Sequence, residues 1–456
     1  MSASSYPPGP KGIPLIGNIY RLFEFMHDPV GFFFKVAEKY GDDDIVYFKV
    51  GPRRVYLLNN PEYIQDVLTN HYGNFVKGAA WERGKGILGE GLLTSEGNFH
   101  KRQRRLAQPA FHQHRIASYG ALMIDCAEKT QDKWQDGSIL DLYQEMYRLT
   151  LSIVAKTLFG AEIESETKDI SNALSVVREE WLRTIYLTNL PLHKLIMKLP
   201  LSTFRRFNKA RNRLDATIYR IIKDRRASGK DYGDLLSMLL LSQDEDCNGD
   251  GMTDLQVRDE VMTIFLAGHE TTASSLIWVF YLISQNPEVE ARLWQELDKV
   301  LDGRIPMVED LPHLQYTRMV FAETLRIYPP VWLTTRRPLK DWKVGSYTVP
   351  ADSVIVICPY LIHRNPRFYP NPLCFDPQRW TAESEANRPR FAYLPFGGGP
   401  RRCLGEHFAL MESALVIATI AQRWRVKHVP GHPVEPELYV TLRPKYGMKM
   451  KLERRN

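Results

Sequence analysis

What the 456-residue sequence lacks narrows it first. It has five cysteines (Cys126, Cys247, Cys358, Cys374 and Cys403), an odd and scattered set with no Cys-x-x-Cys pair. That argues against a disulfide scaffold, a zinc ribbon or an iron–sulfur cluster, and for a reducing compartment. There is no polybasic block: the formal charge of +7, from 60 Lys+Arg against 53 Asp+Glu, is spread along the chain. Nucleic-acid binding would need a concentrated basic stripe, whereas a diffuse excess suits steering of an acidic protein partner. No charged segment followed by an apolar stretch opens the chain, so no signal peptide is expected. The most apolar long run, Met262 to Ile283, is broken by His269, Glu270, Thr271 and Thr272. A bilayer core tolerates that poorly, so the run reads as a buried helix rather than a transmembrane segment. The expectation is a soluble, cytoplasmic protein.

What is present is ordinary globular composition, 44% hydrophobic and 25% charged. Prolines 7, 8 and 10 stiffen the entry. "DIVYFKV" and "RVYLLN" flank Gly51-Pro52 as a β-hairpin, and "PEYIQDVLTN" follows as helix. Helix-period patterns dominate from about Gly97 to Leu301. The longest begins with a capping box at Thr253 and Gln256 and is stopped by Pro287. A mixed region follows, with helix from Thr317 to Tyr328, the strand "SVIVIC" and a Pro-rich meander into a last helix beyond Cys403. With neither repeat nor low-complexity linker, residues 1–456 read as a single, mainly α domain with small β-sheets and a short Pro-rich entry at 1–12.

Three motifs look like chemistry and are read otherwise. "GKGILG" (Gly84 to Gly89) matches Gly-x-Gly-x-x-Gly without the strand before and long helix after that a dinucleotide site needs, so it reads as a loop. "DEDCNGDGMTDL" begins like a calcium loop, but Leu255 stands where a bidentate Glu is required, leaving an exposed acidic turn. His112 and His114 have no partner at metal-ligand spacing and read as a solvent-facing helix end.

"PFGGGPRRCLGEHFALMESALVIA", Pro395 to Ala418, is different. One thiolate suffices for a metal that arrives with its other ligands, as haem does. Cys403 would sit at the positive end of the following helix, which favours a thiolate. Gly397, Gly398 and Gly399 would let the backbone pass under a flat ring, and Gly405 would leave room at its edge. Arg401 can pair with a propionate. A buried structural cysteine, or a cysteine nucleophile with His407 one turn away, fits the same residues; the second needs an oxyanion hole and an orienting group with no marker in the sequence.

The stretch Phe396-Gly397-x-Gly399-x-Arg401-x-Cys403-x-Gly405 resembles the haem-thiolate signature of cytochrome P450. Other elements of that family follow in its order: "AGHETT" at Ala267–Thr272, "ETLR" at Glu323–Arg326, "FDPQRW" at Phe375–Trp380 and the entry "PPGPKG". The resemblance covers essentially the whole chain. It implies a triangular helical domain with a minor β-rich region and haem b between the long central helix and the helix after the cysteine. Cys403 would be the axial iron ligand. Ala267, Gly268, Phe396 and Gly405 would pack on the haem, with Arg104, Arg336, Arg401 and His100 toward its propionates. Many members have Trp at the last position, and a histidine there would make the contact pH-sensitive. Glu270 and Thr271 would form a proton relay, with a widened helix turn holding water beside Ala267-Gly268. Glu323, Arg326 and Arg379 would form a buried ion network serving the fold. Lys101, Arg102 and Arg105 read as solvated charges that could collectively dock an electron donor.

The implied activity is monooxygenation of an apolar substrate, a fatty acid, terpenoid or similar molecule, by a bacterial-type enzyme, probed by residues such as Phe75 to Leu93, Trp181 to Leu199, Val331 to Thr334 and Leu438 to Val440. Lys77 and Arg83 read as solvated loop charges. With no flavin or iron–sulfur motif of its own, the chain would be a monomer fed by a ferredoxin- or flavodoxin-type donor and its NAD(P)H reductase. A peroxide-using peroxygenase or isomerase of the same fold, or a non-enzymatic haem carrier or sensor, are the other readings; neither needs the acid–alcohol pair.

Overall fold

The computed structural model describes residues 6–10, 24, 28–50, 52–160, 173, 176, 202–244, 249–438 and 440–455. Trp181 to Leu199, expected to contribute to the pocket, lie outside the described residues, as do Cys247 and the side chain of Arg83.

The expected hairpin forms, with strand β1 (Ile45–Val50) antiparallel to β2 (Arg53–Leu58). Tyr47 donates its N–H to the Pro8 carbonyl at 2.9 Å, so the Pro-rich entry lies against this hairpin. The sheet continues through β5 (Val354–Ile357) and β4 (Thr334–Pro338) to β3 (Phe75–Lys77), in the order β1-β2-β5-β4-β3. Register places Lys77 opposite Arg336. Two cations directly opposed across a strand pair repel, so that pairing needs an anion nearby.

Helix α1 (Ala79–Leu88) follows β3 and ends at Gly89, whose φ is +57°. It contains most of "GKGILG", so the expected loop is helical. Gly84 and Gly86 lie inside the helix and Gly89 at its end, not at the strand-to-helix turn that a dinucleotide fingerprint requires. Helix α2 (Gly97–Ala107) carries His100 and Arg104, and α3 (Leu142–Phe159) packs along the longest helix, α4 (Asp254–Gln285). The capping box at Thr253 and Gln256 is made, and α4 ends before Pro287. At 1.5 Å per residue it spans about 48 Å. It is buried on most of its circumference, as a helix through the middle of a large domain must be. None of the described helices is long and apolar enough to cross a membrane.

Helix α5 (Gln315–Ile327) bears "ETLR", and α6 (Glu406–Arg423) follows the cysteine. Strand β6 (Pro436–Leu438) pairs antiparallel with β7 (Leu442–Pro444), forming a hairpin near the chain end. The acidic turn is not simply exposed. Asp244 is buried and pairs with Arg102 at 3.1 Å and Arg105 at 2.7 Å, so two of the arginines read as solvated are structural. His112 and His114 are exposed, as expected, and the described residues hold no cluster of metal-ligating side chains.

Candidate functional site

The loop from Gly89 to Glu96 is the hinge of the site, because it touches two groups of chemistry-bearing residues. On one side it is bonded to α4: Asp259 accepts the Glu90 N–H at 2.8 Å, and Glu260 accepts the Leu92 N–H at 3.1 Å. On the other it meets a cluster of cations. Glu96 pairs with Arg401 and accepts the Lys77 N–H at 2.8 Å, and the Lys77 ammonium donates to the Leu93 carbonyl. Arg401 also donates to the Ser95 carbonyl at 3.0 Å.

This cluster gathers Lys77, His100, Arg104, Arg336 and Arg401 from four separate elements. Burial, reinforced by Arg401 and Arg336, lowers the Lys77 ammonium to about 7. Burial, with Arg401, Lys77 and Arg104 adding, pushes the His100 ring down to about 3. Arg336 falls to about 10 through burial and Arg401, with Glu96 opposing. Lys77 is therefore no solvated loop charge, and burial with the surrounding cations favours the neutral His100 ring. A concentration of buried positive charge with one carboxylate is electrostatically incomplete. The buried Arg401 Nη1 has no hydrogen-bond partner. A buried donor with no acceptor is costly, and a dianionic group such as a pair of propionates would complete the cluster.

Cys403 lies next to these cations. Its N–H bonds the Phe396 carbonyl at 2.9 Å, and Arg104 donates to the neighbouring Arg402 carbonyl at 2.8 Å. The helix after it begins at Glu406, two residues later than a cap at Cys403 would require. Cys403 is exposed at the surface of the site, yet the protein crowded around its sulfur raises the thiol to about 11, against the Gly405 N–H and the guanidinium groups of Arg104 and Arg402. The expected helix-end effect alone does not yield a thiolate; a metal must displace the proton. Gly398 and Gly399 serve neighbours within the protein, whereas a Cβ on Gly397 would meet nothing within 4 Å. A Cβ on Gly399 would fall 1.9 Å from the Leu68 carbonyl, and one on Gly398 2.5 Å from the Phe391 ring. Beside Gly405 the nearest protein atom is 3.9 Å away, which leaves the room expected there. His407 is exposed and faces Gln113 at 3.5 Å, which does not build a cysteine hydrolase.

Glu270 and Thr271 lie on α4, with Ala267 and Gly268 one turn before them. Glu270 is buried and accepts the Thr441 hydroxyl at 3.1 Å. Thr271 donates to the Ala267 carbonyl at 2.8 Å, and Thr272 to Gly268 at 3.1 Å. The helix is regular α here, so the expected widened turn does not occur; the hydroxyls satisfy the carbonyls that widening would release. Ala267, Gly268 and Thr271 are partly exposed while α4 around them is buried.

Behind the site, the ion network forms. Glu323 receives Arg326 through two bonds, Arg379 at 3.4 Å, and the Trp380 indole N–H at 2.9 Å.

The sequence model of the cytochrome P450 family matches residues 7–452. The chain belongs to the cytochrome P450 family. Cyclooctatin synthase of Streptomyces melanosporofaciens is 40% identical over 95% of this chain and 92% of its own. Cyclooctat-9-en-7-ol 5-monooxygenase of the same organism is 39% identical over 94% and 93%. Pentalenene oxygenase of Streptomyces avermitilis is 33% identical over 100% and 99%. The fold matches the crystal structure of the cytochrome P450DA haem domain with a TM-score of 0.87 at 23% identity, over 99% of this chain and 98% of that one. This P450 is a monooxygenase of haem-thiolate type that acts on an apolar substrate with electrons from a redox partner.

Three residues of the site escaped the sequence reading. Glu96 and Thr441 carry no motif. Glu412 stands in the apolar run of α6, where a buried acid was a visible signal; burial holds its carboxyl well above the usual range.

Proposed function

We propose that this P450 hydroxylates or epoxidises a terpenoid, with haem b held through the Cys403 sulfur and its propionates received by the cluster of Lys77, His100, Arg104, Arg336 and Arg401. The observation that carries the cofactor assignment is the buried, partnerless Arg401 Nη1 within a group of cations. Haem supplies dioxygen binding and activation when bound. Arg104 and the Gly405 N–H stabilise negative charge on sulfur. Phe396, Gly405, Ala267 and Gly268 would pack on the haem, the last two leaving space beside α4, and Glu270 with Thr271 would move protons into that space. The acid–alcohol pair favours monooxygenation over the peroxide-using and non-enzymatic readings.

The terpenoid assignment rests on the names of the relatives, two of which specify cyclooctat-9-en-7-ol and pentalenene. Electrons would come from an acidic ferredoxin or flavodoxin with its NAD(P)H reductase, to a cytoplasmic, monomeric, single-domain enzyme. A cleft of about 480 Å³ whose wall includes Lys101, Arg105 and His112 would receive that partner.

The test is turnover with a plant-type ferredoxin and its reductase under heavy-isotope dioxygen. The substrates are cyclooctat-9-en-7-ol, pentalenene and dodecanoic acid. Label in a product of either terpenoid, with dodecanoic acid untouched, supports the assignment. Oxidation of the fatty acid alone contradicts it.

A further inference from the structure

The polar residues of α4 form a stripe. Glu270, Ser274 and Trp278 are spaced four apart, so they share one face of the helix. All three receive the β6–β7 hairpin. Ser274 and the Trp278 indole both donate to the Leu442 carbonyl, the latter at 3.1 Å, while the Leu442 N–H bonds the Pro330 carbonyl at 3.0 Å. Leu442 is thereby fixed from both sides. Thr441, one residue earlier, is 3% exposed and gives its hydroxyl proton to Glu270. A buried carboxylate needs donors to remain in place, and this donor belongs to a segment held rigidly against the same helix face.

We propose that Thr441 is a positioning residue of the Glu270 carboxylate. It holds the acid where it can serve the proton path beside Thr271, and the clamp at Leu442 holds Thr441. The hairpin therefore supports proton delivery as well as walling the site. This rests on the relay reading of Glu270 and Thr271. Thr441 touches neither substrate nor haem in this role; it acts through Glu270.

The test needs no organic substrate. With a plant-type ferredoxin and its NADPH reductase, the haem-loaded enzyme reduces dioxygen along two routes. One NADPH and one proton per O2 give hydrogen peroxide; two NADPH and two protons per O2 give water. The ratio of NADPH consumed to O2 consumed, with peroxide measured directly, reports how well protons arrive. Thr441→Val keeps the volume and removes the donor. It should raise the ratio of peroxide to water by roughly tenfold, the size of shift expected from loss of one hydrogen bond to a charged group. Thr441→Ser should restore the wild-type ratio, and the ferrous carbon monoxide spectrum should be unchanged in all variants. Glu270→Gln is the control. If Glu270→Gln raises the peroxide share and Thr441→Val does not, Thr441 has no positioning role. If Glu270→Gln leaves the ratio untouched, the relay reading itself fails and this inference with it. Should Thr441→Val hold haem poorly, Thr441→Cys, a weak donor of similar size, must give an intermediate ratio, and a wild-type ratio there overturns the proposal.

Discussion

Glu323 and Arg326 form a two-pronged ion pair, with Oε1 to Nη2 at 2.7 Å and Oε2 to Nε at 2.8 Å, and both side chains are fully shielded from solvent. Arg326 spends its remaining donors on the carbonyls of His363, Pro372 and Cys374. Glu323 takes the Asp376 N–H and the Trp380 indole. The pair thus fastens the meander that leads to Cys403 onto α5. Removing one partner strands a buried charge. Glu323→Gln should cost about 3–5 kcal/mol in denaturant unfolding. Arg379→Gln, which loses a longer contact, should cost about 1.5–3 kcal/mol.

The cation cluster predicts haem retention. Lys77→Met and Arg401→Gln each remove a charge-assisted donor worth about 1.5–3 kcal/mol, so haem affinity should fall roughly ten- to hundredfold. The rate of haem transfer to an apoglobin measures it. Arg115→Gln, exposed and outside the cluster, should leave the rate unchanged.

Glu260 gives a pH dependence. Burial raises its carboxyl to about 8, with the Leu92 N–H opposing. A raised folded-state value means that the native protein binds the extra proton, so the stabilisation is complete below about 4.5 and is lost as pH rises through about 8. Glu260→Gln cannot ionise. Its stability relative to wild type should therefore grow between these pH values, by at most roughly 5 kcal/mol. Thermal melts across that range check the sign.

Much of this was legible in the sequence, and the reason is chemical punctuation. Thr253 with Gln256 and Pro287 fixed the ends of α4 because capping and proline act locally. The network of Glu323, Arg326 and Arg379 was legible only through the family resemblance, because charges three apart on a helix describe an exposed pair equally well. Lys77 and Glu96 were not. Their burial is created by β3 pairing with β4 and by a loop folding onto α4, contacts between segments far apart in the chain. The expected widened turn failed because Thr271 and Thr272 can bond their own helix carbonyls, a competition that composition does not decide. Thr441 was invisible for the same reason as Glu96: its partner lies 171 residues away.

The glycines before Cys403 separate packing from cofactor room. Gly399→Ala would drive a Cβ into the Leu68 carbonyl at a φ of +66°, and should cost about 2–4 kcal/mol from overpacking and left-handed strain. Gly405→Ala meets no protein atom closer than 3.9 Å, so it should change unfolding of the haem-free protein by less than about 1 kcal/mol while lowering haem content.

The most direct measurement is the carbon monoxide difference spectrum of the reduced, haem-loaded protein beside that of Cys403→Ser. Sulfur ligation predicts the long-wavelength band of a thiolate-bound haem in the wild type and its loss in the variant. A histidine-type band in the wild type, or an identical spectrum from the serine variant, would contradict the assignment of Cys403 to the iron.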